Sequence, residues 1–167
     1  MPTIIKPNEM DYLERPNALP EFAIQTLTPR LGELVGSKHF MFDIRKLLAG
    51  KYSFPYHYHR NAEELMMIIS GSLTMRTEEG LKIINLGEIV FFEIGATGAH
   101  QFYNHTNEPC VYLDIRSTQG IDVGVYPDSD KISFTPFTEI FEQSSKVEYF
   151  KGEENINKIW EKLGKQK

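Results

Sequence analysis

His57 and His59 are one residue apart in the segment Pro55-Tyr56-His57-Tyr58-His59-Arg60-Asn61-Ala62-Glu63-Glu64. On a β-strand, residues i and i+2 point to the same face, so a strand here presents two imidazoles side by side. A turn through Arg60 to Glu63 brings Glu64 back beside them on the next strand. Two neutral imidazoles and one carboxylate form a nitrogen and oxygen site suited to Mn, Fe, Co, Ni, Cu or Zn. With a single negative ligand a divalent ion stays positive and can polarise an oxygen of a bound molecule. A lone His-x-His pair is also common on strands as a structural, hydrogen-bonded pair. The weight therefore falls on the rest of the chain, which has three further histidines, His39, His100 and His105.

Together with the surrounding glycines, these residues resemble the two motifs of the cupin superfamily. The first motif of that family reads Gly, five residues, His-x-His, three or four residues, Glu, six residues, Gly. Here Gly50 is followed by six residues, His57-Tyr58-His59, four residues, Glu64, six residues and Gly71. The second motif reads Gly, five residues, Pro-x-Gly, two residues, His, three residues, Asn. Here Gly87 is followed by five residues, Glu93-Ile94-Gly95, four residues, His100, three residues and Asn104. Glu93 stands where the family has proline, and the loop before His100 is two residues longer.

The resemblance implies an all-β fold, a cupin-type jelly-roll barrel, to which the chain's own pattern adds an N-terminal arm and a short C-terminal helix. It also implies a divalent transition metal (Mn, Fe, Zn, Ni or Co) held by His57, His59, Glu64 and His100. Open positions on such an ion take water, dioxygen or a bidentate substrate. Glu63 is the rival of Glu64, because a one-residue slip exchanges the two faces of a strand. Family spacing and the inward parity of Met66 and Ile68 favour Glu64. His105 falls on the face opposite His100 and is expected at the surface or in packing, and His39 is expected to be structural. No residue is assigned as catalytic.

The elements that must position these groups are short. Between residues 36 and 116, apolar runs of about five to seven residues alternate with turn signals containing Gly, Asn and Pro, the spacing of an antiparallel sandwich or barrel. The expected strands cover residues 39–48, 65–70, 72–77, 81–85, 89–93, 100–105 and 110–116. Residues 1–35 contain Pro2, Pro7, Pro16, Pro20 and Pro29 and read as an arm with one possible strand at 22–28, on this barrel or on a partner's. Residues 36–118 read as the barrel core. Residues 119–167 read as a loop over 120–136, a further strand and a terminal helix packed on the barrel or a neighbouring subunit. Ile156, Ile159, Trp160 and Leu163 lie at i, i+3, i+4 and i+7, one face of that helix. Tyr56 and Tyr58 are expected to point outward. Two polar sets, Asp43 with Arg45 and Tyr112 with Asp114 and Arg116, are read as a solvated face, or as substrate anchors if they face the metal.

Of the 167 residues, 41 % are hydrophobic and 25 % charged, which is ordinary globular composition. A net charge of -5 gives no general attraction to phosphate backbones or anionic lipid, so neither nucleic acid nor membrane is an expected partner. Cys110 is the only cysteine, which excludes an internal disulfide and a cysteine-based zinc site. The segment 1–10 lacks the apolar core of a signal peptide, and a cytoplasmic location is expected. The functional expectation is a metal-dependent enzyme on a small polar metabolite, a sugar or sugar-phosphate isomerase or epimerase. The alternatives are an Fe(II) dioxygenase and a non-catalytic small-ligand sensor. A homodimer is expected, since the arm, the terminal apolar stripe and the sheet edges all benefit from a partner.

Overall fold

The computed structural model describes residues 2–137 and 139–164. Its strands, in chain order, are β1 (Asp11–Glu14), β2 (Ile24–Thr28), β3 (Phe40–Leu47), β4 (Tyr58–His59), β5 (Glu64–Ser70), β6 (Ser72–Thr77) and β7 (Gly80–Asn85). They continue with β8 (Ile89–Phe92), β9 (Gln101–Tyr103), β10 (Cys110–Ser117), β11 (Asp122–Tyr126), β12 (Lys131–Thr135) and β13 (Glu139–Glu142). A one-turn helix α1 (Leu31–Leu34) precedes β3, and α2 (Ile156–Gly164) ends the described chain. No described helix is long and apolar enough to cross a membrane.

The strands form a jelly roll with two walls. One wall is a six-stranded sheet in the order β1-β2-β3-β10-β5-β8. The other joins β13-β12-β11-β4 to β7-β6-β9, stitched by an antiparallel bridge between His57 and His100. Buried and less buried side chains alternate along β6 and β10, as the pleat requires. Between the walls lies an apolar core of Ile24, Leu47, Met66, Ile68, Leu73, Met75, Ile84, Phe92, Phe102, Cys110 and Tyr112. Burying such side chains contributes on the order of 1.5–3 kcal/mol each, so this layer fixes the register of the polar layer above it.

The strands expected between residues 36 and 116 are present, with ends shifted by a few residues. Arm strand β2 pairs with β3 of its own chain, and β1 pairs with β2 as the sheet edge. Residues 120–136 depart from the expected loop. They form the hairpin β11–β12, and β11 pairs with the site-bearing strand β4. Gly120, Gly124 and Pro127 mask the alternation of this stretch in the sequence. Gly124 is there for space, since a Cβ would lie 2.7 Å from Ser133 Oγ.

Helix α2 forms where the periodicity places it, but the expected packing on the barrel is not found. Ile156, Ile159, Trp160 and Leu163 are all exposed. An apolar stripe shows that a helix has a face to bury and does not name the surface that buries it.

Candidate metal centre

His59 lies in β4, opposite Gly124 of β11. His57 precedes that strand and exchanges backbone hydrogen bonds with His100. The His57 N–H donates to the His100 carbonyl at 3.2 Å, and the reverse bond is 2.9 Å. Glu64 opens β5, opposite Arg116 of β10 and Phe92 of β8. Ligand atoms of His57, His59 and Glu64 lie within 4.8 Å of one another, and His100 Nε2 lies 3.6 Å from Glu64 Oε2. The chain therefore brings all four residues to one place. Glu63 is exposed on the other face. His105 is at the surface, its Nδ1 2.9 Å from Thr74 Oγ1, and His39 is exposed.

Each imidazole is held through Nδ1. His57 Nδ1 donates to the Pro55 carbonyl at 2.8 Å, His100 Nδ1 to the Gly98 carbonyl at 2.9 Å, and His59 Nδ1 to Asp122 Oδ2 at 2.5 Å. Anchoring one ring nitrogen fixes the tautomer and leaves the Nε2 lone pair for a metal. The second-motif loop is built for this purpose. Gly95 is at φ 97° and donates its N–H to the His59 carbonyl at 2.8 Å. At Gly98 a Cβ would stand 2.0 Å from the Glu93 carbonyl oxygen, so only glycine lets the turn close and offer its carbonyl to His100. The two extra residues of this loop fold into a single 3-10 turn, Ala96–Gly98. The side chain of Glu93 is exposed.

Glu64 Oε2 tests whether these residues suit a cation. It is buried and accepts no hydrogen bond, although His59 Nε2 lies only 3.3 Å away. Buried carboxylate oxygens are otherwise almost always paired. Lone pairs that converge with nothing donated between them fit a cation, and the donor set fits a divalent transition metal. Without one, a proton on His59 Nε2 is the positive charge available there. Burial opposes that proton, but Asp122 and Glu64 outweigh burial and raise the His59 pKa to about 9. Burial and the neighbouring His100 lower His57 to about 3, and burial also lowers His100. For Glu64, burial is overcome by the three histidines, His100 first, and its carboxyl sits well below the usual range.

Asp122 carries the second oxygen of this arrangement to the Asn61 N–H at 3.0 Å, so one carboxylate ties the His59 ring to the turn between the ligands. The sequence reading did not include it. Its only signal is an acidic residue at the start of the Asp-Val-Gly-Val-Tyr strand, distant in the chain from His59.

The polar sets read as a solvated face are inside the barrel instead. Asp43, Tyr112 and Asp114 are all buried. Arg30 Nε donates to Asp43 Oδ2 at 2.9 Å, and Arg45 Nη2 lies 3.8 Å from the same oxygen. Arg45 Nε donates to Asp114, whose carboxyl feels the neighbouring charge of Glu64. Burial, opposed by Arg45 and reinforced by Glu64, raises the Asp114 carboxyl to about 7. Parity alone could not show that the jelly roll turns this layer inward. Tyr56 is buried beneath the Arg76 guanidinium, 4.0 Å over its ring on the outer side of the barrel, and Tyr58 is half-buried.

Aromatic rings wall the centre. Phe92 stacks on His100 with centroids 3.7 Å apart, Tyr126 stacks on His57 at 5.9 Å, and Phe54 meets His57 edge-on at 6.3 Å. Arg116 Nη1 lies 3.5 Å from His59 Nε2.

The family model described as the Cupin domain matches residues 44–116, a span that runs from β3 to β10 and holds all four candidate ligands. No curated protein matches the chain. Among solved structures, a sugar phosphate isomerase of the cupin superfamily from Silicibacter pomeroyi superposes with a TM-score of 0.76 at 20 % identity, covering 87 % of this chain and 96 % of that one. A proposed sugar phosphate isomerase from Acidithiobacillus ferrooxidans gives 0.68 at 27 % identity, covering 77 % and 82 %. A predicted oxalate decarboxylase from Thermotoga maritima gives 0.59 at 18 % identity, covering 70 % and 100 %. These neighbours carry different activities on one fold, so they support the fold and no single reaction. The matched domain, the jelly roll and the placement of both motifs identify residues 44–116 of this chain as a cupin domain.

Proposed function

We propose that the chain is a metal-dependent enzyme acting on a small polar metabolite, holding one divalent ion through His57, His59, Glu64 and His100. The observation that carries this reading is the buried, unsatisfied Glu64 Oε2 facing histidines whose Nδ1 atoms are already committed. Four protein ligands leave room on a six-coordinate ion, which supplies Lewis acidity to a hydroxyl or carbonyl oxygen when bound. The chain's own contribution is to fix ring orientation through Asp122, Pro55 and Gly98. Phe92, Tyr126 and Phe54 shield the rings from water.

Within that class, we read the reaction as isomerase- or epimerase-like, a proton shift on a hydroxy-carbonyl compound of the sugar kind. The two sugar phosphate isomerase folds support this reading, one of them at 27 % identity. The test is metal analysis of the purified chain followed by assay of the loaded protein against a panel of aldoses, ketoses, their phosphates and sugar acids. One ion per chain with turnover is expected; one ion per chain without turnover on any member would leave a binding module.

A homodimer is part of the proposal. The outward face of the six-stranded sheet carries Phe40, Ile69, Ile89 and Phe91, all exposed. Half-buried Phe42, Ile44, Leu65, Met67, Leu113 and Ile115 lie between them. A sheet face left in water normally alternates to polar residues, and this one does not. The exposed apolar area is on the order of several hundred Å² per copy, comparable with the ~800 Å² each partner gives a standard interface. Away from Lys46 near the end of β3, this patch carries no charge and meets its own copy across a two-fold axis without like-charge repulsion.

A further inference from the structure

Among the described residues, Arg116 is a guanidinium beside the candidate ligands that no carboxylate holds. Arg30 and Arg45 face Asp43 and Asp114, and Arg76 is clamped by Asp128 outside the barrel. Arg116 is half-buried. Its contacts are His59 Nε2 at 3.5 Å and Met41 Sδ at 3.3 Å, and among the described residues it forms no ion pair. A thioether is a weak acceptor, so most of the five donors of this fork are unused. Register explains its position, because Arg116 stands directly opposite the candidate ligand Glu64 across β10 and β5. A divalent ion held by one carboxylate keeps a positive charge, and Arg116 beside it adds another. The other nearby acids are also taken, Asp114 by Arg45 and Asp122 by His59 and Asn61. Buried or half-buried charge of one sign calls for an opposite charge.

We infer that Arg116 receives the carboxylate of a substrate whose neighbouring α-oxygen, a hydroxyl or keto group, reaches the ion held by His57, His59, Glu64 and His100. This rests on the proposed metal site and narrows its substrate to a 2-hydroxy or 2-keto acid, including the sugar acids. A planar carboxylate matches the guanidinium fork in two parallel hydrogen bonds. The spacing sets the rest. Arg116 Nη1 is only 3.5 Å from a ligand nitrogen, so the anionic group sits within one bond or two of the reacting oxygen. The phosphate of a sugar phosphate lies several bonds from the carbons that isomerise, too far for both contacts to be made by the same end of the molecule.

The full chain loaded with Mn²⁺ is titrated with glycolate, acetate, ethane-1,2-diol and inorganic phosphate. Calorimetry gives affinity, and water-proton relaxation reports displacement of solvent from the ion. Glycolate is expected to bind one per chain and tighter than the other three. Arg116→Gln is expected to weaken it by about 30-fold or more, with Mn²⁺ stoichiometry retained. Arg116→Lys, which keeps the charge and loses the fork, is expected to fall between and serves if the glutamine variant does not fold. Unchanged glycolate affinity in either variant overturns the inference, and so does glycolate binding no tighter than acetate. Phosphate binding most tightly and depending on Arg116 overturns the carboxylate and assigns the position to a phosphate. Failure of the native chain to take up Mn²⁺, Co²⁺ or Zn²⁺ removes the metal site itself, and the inference with it.

Discussion

His59 and Asp122 are joined by a 2.5 Å Nδ1–Oδ2 hydrogen bond across 63 positions of sequence. The bond crosses the β4–β11 pairing and fixes which nitrogen of His59 faces the centre. It sets a hierarchy among the residues of the site: groups that present lone pairs to the ion, and groups that aim them.

If the proposed centre holds an ion, each of the four presenting residues is needed for it. His57→Ala, His59→Ala, His100→Ala and Glu64→Gln are each expected to lower bound metal to well below one ion per chain, measured by elemental analysis after dialysis. Glu63→Gln and His105→Ala, on the outer faces, are expected to leave it unchanged. Metal retention by the His57→Ala, His59→Ala double variant would refute the site.

Asp122 acts one step back. Asp122→Asn keeps the shape of the side chain but weakens its hold on the His59 N–H, and loss of such a partner typically costs 10–100-fold in metal affinity. Competition with a chromophoric chelator should show a loss of that size, with the ion still bound at high concentration. A loss as complete as that of His59→Ala would make Asp122 a ligand rather than an orienting group.

Metal uptake should release protons in a predictable direction. In the metal-free chain His59 titrates at about 9, while His57 is down at about 3. At pH 7 the ion therefore displaces about one proton, from His59, and none from His57. Apparent affinity should rise with pH up to about 9 and then level off. Calorimetry in buffers of different ionisation enthalpy gives the proton count, and a count near zero at pH 7 would contradict the protonated His59–Asp122 pair.

Gly98→Ala tests the loop. The new Cβ has only 2.0 Å to the Glu93 carbonyl, so the backbone must shift and the acceptor for His100 Nδ1 moves with it. A destabilisation of roughly 2–3 kcal/mol, the range of severe backbone substitutions, is expected in denaturant unfolding, together with weaker metal binding.

The apolar outer face predicts that light scattering finds a dimer at micromolar concentration, and that Phe91→Glu with Ile89→Lys makes it a monomer without loss of metal. A dimer unaffected by this pair would place the interface elsewhere, with the exposed stripe of α2 as the next surface to change.

The barrel and its candidate ligands illustrate the division between local and tertiary information, with one word changed by the fold: inward. His57, His59 and Glu64 were legible because strand periodicity and turn spacing are local, and His100 was legible through the resemblance of its segment to the second cupin motif. Glu64 could be separated from Glu63 because Met66 and Ile68 set the inward parity of β5. The same local rules failed at Asp43, Asp114 and Arg116, where parity groups residues on one face but does not say which face meets the core. They failed again at Asp122, whose role exists only because β11 pairs with β4. Sequence spacing determined which side chains could share an ion. The closure of two sheets decided which carboxylate aims them and which guanidinium stands free beside them, because those contacts join strands that are neighbours only after folding.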